Sequence, residues 1–374
     1  MTSVHTALDG RIFHKECRSL ARAGFQVTIV GAVPQSRDLI SDGVHIKSIH
    51  RESSRFARMT RTVWRVYREA RKQQADIYHF HDPELIPAGL LLRATGRHVI
   101  YDIHEDVPKD ILSKTYLPVW SRGTIAWLME RLESAVSRHF SGLVAVTPSI
   151  AGRFEAPGRR TVVVHNYPHH REIVSQAQGS AWEEREASVG YIGLVSVQRG
   201  IREIVQALDL LSKTTTVRLE LAGNQYPEDL CSRELSLHQG WAHVRYHGLL
   251  DQPSAFRLLH RVRAGLVLFH PEPNHVEAMP QKIFEYMGAA IPVIASDFPL
   301  WRRVLGDTGC GILVDPSDPH AIARAIEFVL THPKEAEEMG RRGQSAVLER
   351  YNWDIEAKKL VEFYAGLSAT TCAA

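Results

Sequence analysis

The sequence predicts an α/β fold built from two doubly wound domains, and three observations carry that prediction. Short β-branched runs alternate with helix-length amphipathic segments along the chain, which implies parallel strands joined by right-handed crossovers. At 374 residues the chain exceeds what one hydrophobic core ordinarily organises. Charge also divides in the middle: residues 1–180 hold 25 Lys+Arg against 17 Asp+Glu, and the remainder hold 20 against 25. The expected domains are 1–170 and 189–351, with a polar linker at 171–188 and a terminal helix, 352–374, returning to the first domain.

Composition excludes several classes. With 44% hydrophobic and 23% charged residues the chain is globular, neither disordered nor fibrous. No run approaches the ~20 apolar residues of a membrane-spanning helix. The opening MTSVHTALDGRIFHKE is too polar for a secretory signal. Cys17, Cys231, Cys310 and Cys372 stand too far apart for a metal pair or a disulfide framework. A cytoplasmic location is the expectation. No interleaved aromatic and basic motif of a nucleic-acid module is present.

The first-half strands are read at 27–30, 44–49, 77–80, 99–103, 143–146 and 161–164. Those of the second half are read at 189–192, 217–222, 244–247, 266–269, 292–295 and 311–314. Several are apolar on both faces, as buried parallel strands are. Such sheets bind ligands beyond the carboxyl ends of their strands. The residues there include His81, Asp82 and Glu84 after one strand, His104, Glu105 and Asp106 after another, and Thr147 after a third. Singly, each suits a cap or turn. Together they predict a polar surface for a hydroxylated ligand.

In the second half, strand 189–192 runs into Gly193 and then Arg199, where helix 201–211 opens. Unsatisfied N–H groups of a helix start and an adjacent guanidinium suit a diphosphate. The spacing is neither a Walker A loop nor a Gly-x-Gly-x-x-Gly turn. A further segment, NHVEAMPQKIFEYMGAAIPVIASD, places Glu277 in a loop and Glu285 in the following helix. Lys282 and Glu285, three apart, are expected to share a helix face. A carboxylate so placed can accept both hydroxyls of a ribose, and a loop carboxylate or an ammonium nearby can meet a sugar.

These blocks resemble the retaining glycosyltransferases of family 4, which have the GT-B fold of two Rossmann-like domains facing across a cleft. Glu277 and Glu285 match that family's Glu-x7-Glu signature. FEYMGAAIPVIASDFPLW resembles a bacterial branch that builds exopolysaccharide, capsule or lipopolysaccharide. TSVHTALDGRIFHKECRSLARAGF, YHFHDPELIPAGLL, YDIHEDVPKDILSK and GLVSVQRGIREIVQAL resemble its other blocks in order, and the likeness runs to the terminal YNWDIEAKKLVEFY. The resemblance implies transfer of a sugar from a nucleoside diphosphate to a saccharide or lipid-linked hydroxyl, with retention and without metal or cofactor. A UDP-sugar is favoured over a GDP-sugar. It further implies that Gly193, Arg199, Gly223, Gly248, Lys282 and Glu285 bind the donor and that His104 and Glu277 take part in catalysis. His81, Asp82, Glu84 and Asp106 are the acceptor-side candidates.

Two departures stand out. Leu194 occupies a position that is Arg in many relatives, leaving Arg199, with Lys282, to carry the diphosphate charge. Relatives also begin with an apolar strand ahead of the SVH segment, without which the centre of the first sheet would be empty; a late start codon and a tolerated truncation both fit. The competing readings are a sugar-nucleotide epimerase on the same fold and a catalytically weak sugar-nucleotide-binding partner of a polysaccharide assembly. Residues 51–72 carry Arg55, Arg58, Arg65, Arg68 and Lys72 at helical spacing, flanked by Arg51, Arg61 and Arg71. Phe56, Met59, Val63, Val66 and Ala70 form a second stripe. That pattern fits either a peripheral contact with an anionic membrane or an ordinary crossover helix.

Overall fold

In the computed structural model, which describes residues 1–33, 38–114, 117–170, 173 and 182–371, each strand read from the sequence forms within two residues of its expected bounds. The chain divides into two units. One takes Met1–Asn166 together with Trp353–Ala374, and the other takes Tyr167–Asn352. Most of the expected linker, 171–188, lies outside the described residues, as does Cys372.

The first unit contains β1 (Val27–Gly31), β2 (Leu39–Ser41), β3 (Val44–Ser48), β4 (Ile77–Phe80), β5 (His98–Ile103), β6 (Gly142–Ala145) and β7 (Thr161–Val163). They form two sheets, ordered β1-β3-β2 and β4-β5-β6-β7. All neighbours run parallel except β2, an unexpected strand that folds back antiparallel onto β3. The turn between them is Asp42-Gly43, both with positive φ, the pair that a two-residue hairpin favours. Met1 and Thr2 lie between β1 and β4. The Met1 ammonium donates to the His79 carbonyl at 2.7 Å, and Thr2 N–H donates to the Val30 carbonyl at 3.0 Å. Among the described residues no strand pairs with both β1 and β4, so the first unit has two sheets with no strand at the centre between them.

The central strands of this unit alternate strictly. Tyr78, Phe80, Val99, Tyr101, Ile103, Leu143 and Ala145 face one core, against Val66, Leu85, Leu92 and Phe140. Ile100 and Val144 face the other, against Trp353, Leu360, Tyr364 and Leu367 of the terminal helix Trp353–Thr371. Burying each large apolar side chain contributes about 1.5–3 kcal/mol. On this second face the strands also carry His79, His81 and Asp102, because the side-chain period is two.

The second unit contains β8 (Ser188–Ile192), β9 (Val195–Ser196), β10 (Arg218–Ala222), β11 (Gln225–Tyr226), β12 (Val244–Tyr246), β13 (Ala264–Val267), β14 (Val293–Ser296) and β15 (Gly311–Val314). Six of them form one parallel sheet ordered β12-β10-β8-β13-β14-β15, with β9 and β11 as a separate short pair. The order reverses between β8 and β13, the place where doubly wound sheets open a crevice at their carboxyl ends. The helix Ile201–Ser212 is pinned by Ile201, Ile204, Val205, Leu208 and Leu211, a spacing that keeps one stripe on the sheet. That packing fixes where its first turn, and the residues just before it, stand.

Candidate functional site

Donor-side candidates gather at the carboxyl ends of β8, β10 and β12. Gly193 N–H donates to the Ala222 carbonyl at 2.9 Å, and Gly223 N–H donates to the Gly248 carbonyl at 2.7 Å. The three chain reversals are therefore stacked by their backbones. Gly223 has φ +141°, and a Cβ there would meet the Gly193 carbonyl oxygen at 1.9 Å, so only glycine fits. Gly200 opens the helix Ile201–Ser212 with φ +71°, and a Cβ there would strike the Leu268 carbonyl oxygen at 2.1 Å. Beyond the switch point, His270 N–H donates to the Gln198 carbonyl at 2.9 Å, tying the loop after β13 to the loop after β8.

Two basic side chains converge there. The Arg199 guanidinium lies 4.9 Å from the centre of the Phe269 ring, and Lys282 Nζ lies 5.1 Å from the same ring. Lys282 sits on the helix Gln281–Gly288, yet its side chain turns inward, 4.0 Å over the Tyr191 ring. Its Nζ makes no hydrogen bond among the described residues. Burial, and then Arg199, hold its pKa well below that of an ordinary lysine, with Glu285 opposing. Lys282 and Glu285, three apart on that helix, act on one another through charge, and Glu285 is half-buried with its Oε1 accepting from Gln281 Nε2 at 2.6 Å. Glu277 ends the short helix Pro273–Val276 and is exposed.

A second constellation stands in the first unit, at the ends of β4 and β5. These strands pair with Phe80 opposite Tyr101, so His81 falls opposite Asp102 and on the same face. His104, two residues on, joins them. His81 Nδ1 and His104 Nε2 are 2.8 Å apart, and Asp102 Oδ2 is 3.4 Å from His104 Nε2, 3.5 Å from His81 Nδ1 and 3.4 Å from His79 Nε2. Across from them, the widened helical turn Ile12–Cys17 brings Arg11 and Glu16 together, with Arg11 Nε 2.8 Å from Glu16 Oε1. The Arg11 guanidinium also reaches Asp102 Oδ2 at 3.3 Å.

Charge in this cluster follows from burial and from Arg11. Burial alone would raise the Asp102 pKa, but Arg11 and His104 overcome it and hold the carboxylate well below its usual range. Burial, reinforced by Asp102, pushes Glu16 well above its usual range, with Arg11 opposing. Burial keeps His79 and His81 below the usual histidine value, hence neutral. Glu16, His81, Asp102 and His104 each bring a potential metal-ligand atom within 4.8 Å of the others, a grouping the sequence did not reveal. Arg11 already sets a positive charge against both carboxylates of the group. The cluster holds His104 through His81 and Asp102.

The other first-unit candidates are engaged elsewhere. Asp82 Oδ2 accepts from Thr2 Oγ1, Ser3 N–H and Val4 N–H at 2.7, 2.6 and 3.0 Å, and its Oδ1 lies 2.9 Å from His5 Nδ1. It is buried and anchors the opening segment of the chain. Glu84 accepts both arms of the Arg58 guanidinium, at 3.0 and 2.6 Å. Asp106 caps the helix Val107–Ser113 and pairs with Arg153 at 2.9 Å. All three candidates have protein partners in this structure: Asp82 the opening segment, Glu84 Arg58, and Asp106 Arg153.

Comparison with known proteins gives the family. A family model described as "Glycosyl transferase 4-like domain" matches residues 10–167, and one described as "Glycosyl transferases group 1" matches residues 162–346. The chain belongs to the family-4 type of GT-B glycosyltransferases. Glycogen synthase of Mycobacterium tuberculosis is 21% identical over 387 residues, covering 95% of this chain and 90% of that one. Among solved structures, sucrose-phosphate synthase from Thermosynechococcus elongatus shares the fold with a TM-score of 0.73 at 18% identity, over 95% of this chain and 92% of that one. The Anabaena protein HepE in complex with UDP does so with a TM-score of 0.65 at 15% identity, over 94% and 95%.

For this glycosyltransferase, sequence reasoning missed Arg11, Glu16, His79 and His5. The last stacks its ring on that of His104, with centres 6.0 Å apart. The one local signal was the alternation in Tyr78-His79-Phe80-His81, which puts both histidines on the face away from the aromatic core.

Proposed function

We propose that the enzyme moves a sugar, with retention and without a metal, from a nucleoside diphosphate held by the second unit to a saccharide or lipid-linked hydroxyl taken by the first. UDP is the favoured nucleotide, a choice supported by the fold shared with a UDP-binding protein. The observation that carries this reading is the convergence of Lys282 and Arg199 on the Phe269 ring at the switch point of the sheet. A diphosphate there would meet two cationic side chains and the start of the helix Ile201–Ser212, which balance the charge that grows as the sugar departs. Glu285 would take the ribose hydroxyls, and Glu277 would stand near the sugar. His104 would contact the reacting sugar and acceptor. No carboxylate is assigned as nucleophile, and retention would follow from attack on the face the diphosphate leaves.

The test is a thermal-shift panel of UDP- and GDP-sugars followed by product analysis. A donor at 100 times its dissociation constant adds roughly 2.7 kcal/mol of stability. Release of nucleotide with transfer of the sugar to an acceptor supports the reading. An altered nucleotide sugar with no acceptor would point to epimerisation, and binding without turnover to a carrier role.

A peripheral membrane contact is the second part of the proposal, supported by one surface. In the continuous helix 55–72, Val63, Val66, Tyr67 and Ala70 pack into the first unit's core, while Phe56 is 80% exposed and Met59 and Trp64 are exposed beside Arg61, Arg68 and Arg71. Arg58 and Arg65 are paired with Glu84 and Glu52. Among the described residues no helix is long and apolar enough to cross a membrane.

A further inference from the structure

Lys282 is the most unusual charged side chain in the second unit. It is 8% exposed, its Nζ has no hydrogen-bond partner among the described residues, and it points at the loop that the diphosphate would occupy. A Cβ built on Gly193 would stand 3.5 Å from that nitrogen, so the amine lies directly beneath the reversal after β8. An ammonium ion stripped of water with nothing to donate to is strongly disfavoured, and such a lysine gives up its proton.

The surroundings reinforce this. From the loop after β8, Arg199 faces the amine as a like charge; from its own helix, Glu285 acts in the opposite sense. Beyond the Phe269 ring stand His270, 3.2 Å from Glu203, and His275, whose ring centre is 4.9 Å from that of Phe269. The faces of Tyr191 and Phe269 favour an ammonium, but ring faces do not replace a hydration shell.

Resting on the donor-site reading, we infer that binding of a nucleoside diphosphate is accompanied by uptake of one proton, taken from solvent by the Nζ lone pair of Lys282 and returned when the nucleotide leaves. The diphosphate supplies what the empty site lacks, an anionic acceptor within reach. One of its two counter-cations is thus made by binding. The empty site avoids holding two adjacent unpaired cations in a buried place.

Isothermal titration of the full chain with UDP, and separately with GDP, tests this at pH 8, where a terminal phosphate of pKa ≈ 6 is already ionised. Titrations in buffers of low and high ionisation enthalpy report the protons exchanged. The expected result is uptake approaching one proton per nucleotide, with affinity falling about tenfold per pH unit above pH 8. Lys282→Met should abolish the uptake and flatten the pH dependence; Lys282→Arg, permanently charged, should abolish the uptake while keeping the affinity. Binding without uptake in the unaltered enzyme, or the same uptake in Lys282→Met, overturns the inference and leaves the donor site standing. Failure of both nucleotides to bind overturns the donor site, and the inference with it.

Discussion

His104 Nε2 lies 2.8 Å from His81 Nδ1 although 23 positions separate the two in sequence. One of these nitrogens donates and the other accepts, so each ring fixes the tautomer of its neighbour. His104 Nε2 is the nitrogen that meets both His81 and Asp102. Asp102, ionised and held by Arg11, fixes the whole arrangement from beneath.

His104→Ala should therefore lower transfer by an order of magnitude or more, the usual effect of losing a positioned catalytic group. Affinity for UDP should stay nearly unchanged, because the nucleotide candidates belong to the other unit. Steady-state transfer and calorimetric UDP binding on the same preparation check both halves. Transfer at the unaltered rate would make His104 structural.

Glu285→Ala and Arg199→Ala should each weaken free UDP. A hydrogen bond to a charged group contributes roughly 1.5–3 kcal/mol, or about 10- to 150-fold in dissociation constant. Arg199→Ala should also slow the chemical step, since leaving-group charge is greatest there. Calorimetry on the two variants decides it, and unchanged affinity in both would remove the donor assignment.

Asp82 gives a prediction about stability. Asp82→Ala leaves the buried Ser3 N–H and the half-buried Val4 N–H without their acceptor, which should cost about 3 kcal/mol and several degrees in melting temperature. The pH dependence has a definite sign. Burial opposes ionisation of Asp82, but His5, Thr2 and Val4 lower its pKa, so its contribution is present above about pH 4 and lost as pH falls through the lower folded value. His5, raised chiefly by its hydrogen bond to Asp82, contributes fully below about pH 6.5, and that contribution is lost as pH rises through its folded value. Thermal melts from pH 3 to pH 9 should show both flanks in the unaltered chain and neither in Asp82→Ala.

The membrane contact is tested by changing Arg61, Arg68 and Arg71 to Gln together. Basic residues near an anionic bilayer contribute about 1 kcal/mol each, so partitioning should fall by roughly two orders of magnitude. Sedimentation with vesicles of rising anionic content measures it. Absent or salt-insensitive binding removes the proposal.

The strand pattern and the largely parallel pairing were legible in the sequence, because side-chain period and strand spacing are local properties; the strand order, and with it the switch point, came from the structure. So were Gly193, Gly223 and Arg199, whose residue types suit the ends of strands whatever lies around them. Tertiary structure alone decided which polar residues remained available to a ligand. Asp82, Glu84 and Asp106 look equivalent to His104 in one dimension; the fold sets them against Ser3, Arg58 and Arg153, and His104 against His81. Glu16 meets His81 and Asp102 only because an opening helix packs across strands far along the chain. Lys282 turned from a helix face to the Tyr191 ring for the same reason. Local pattern says which face a side chain takes; what it meets there is set by long-range packing, which period and propensity do not encode.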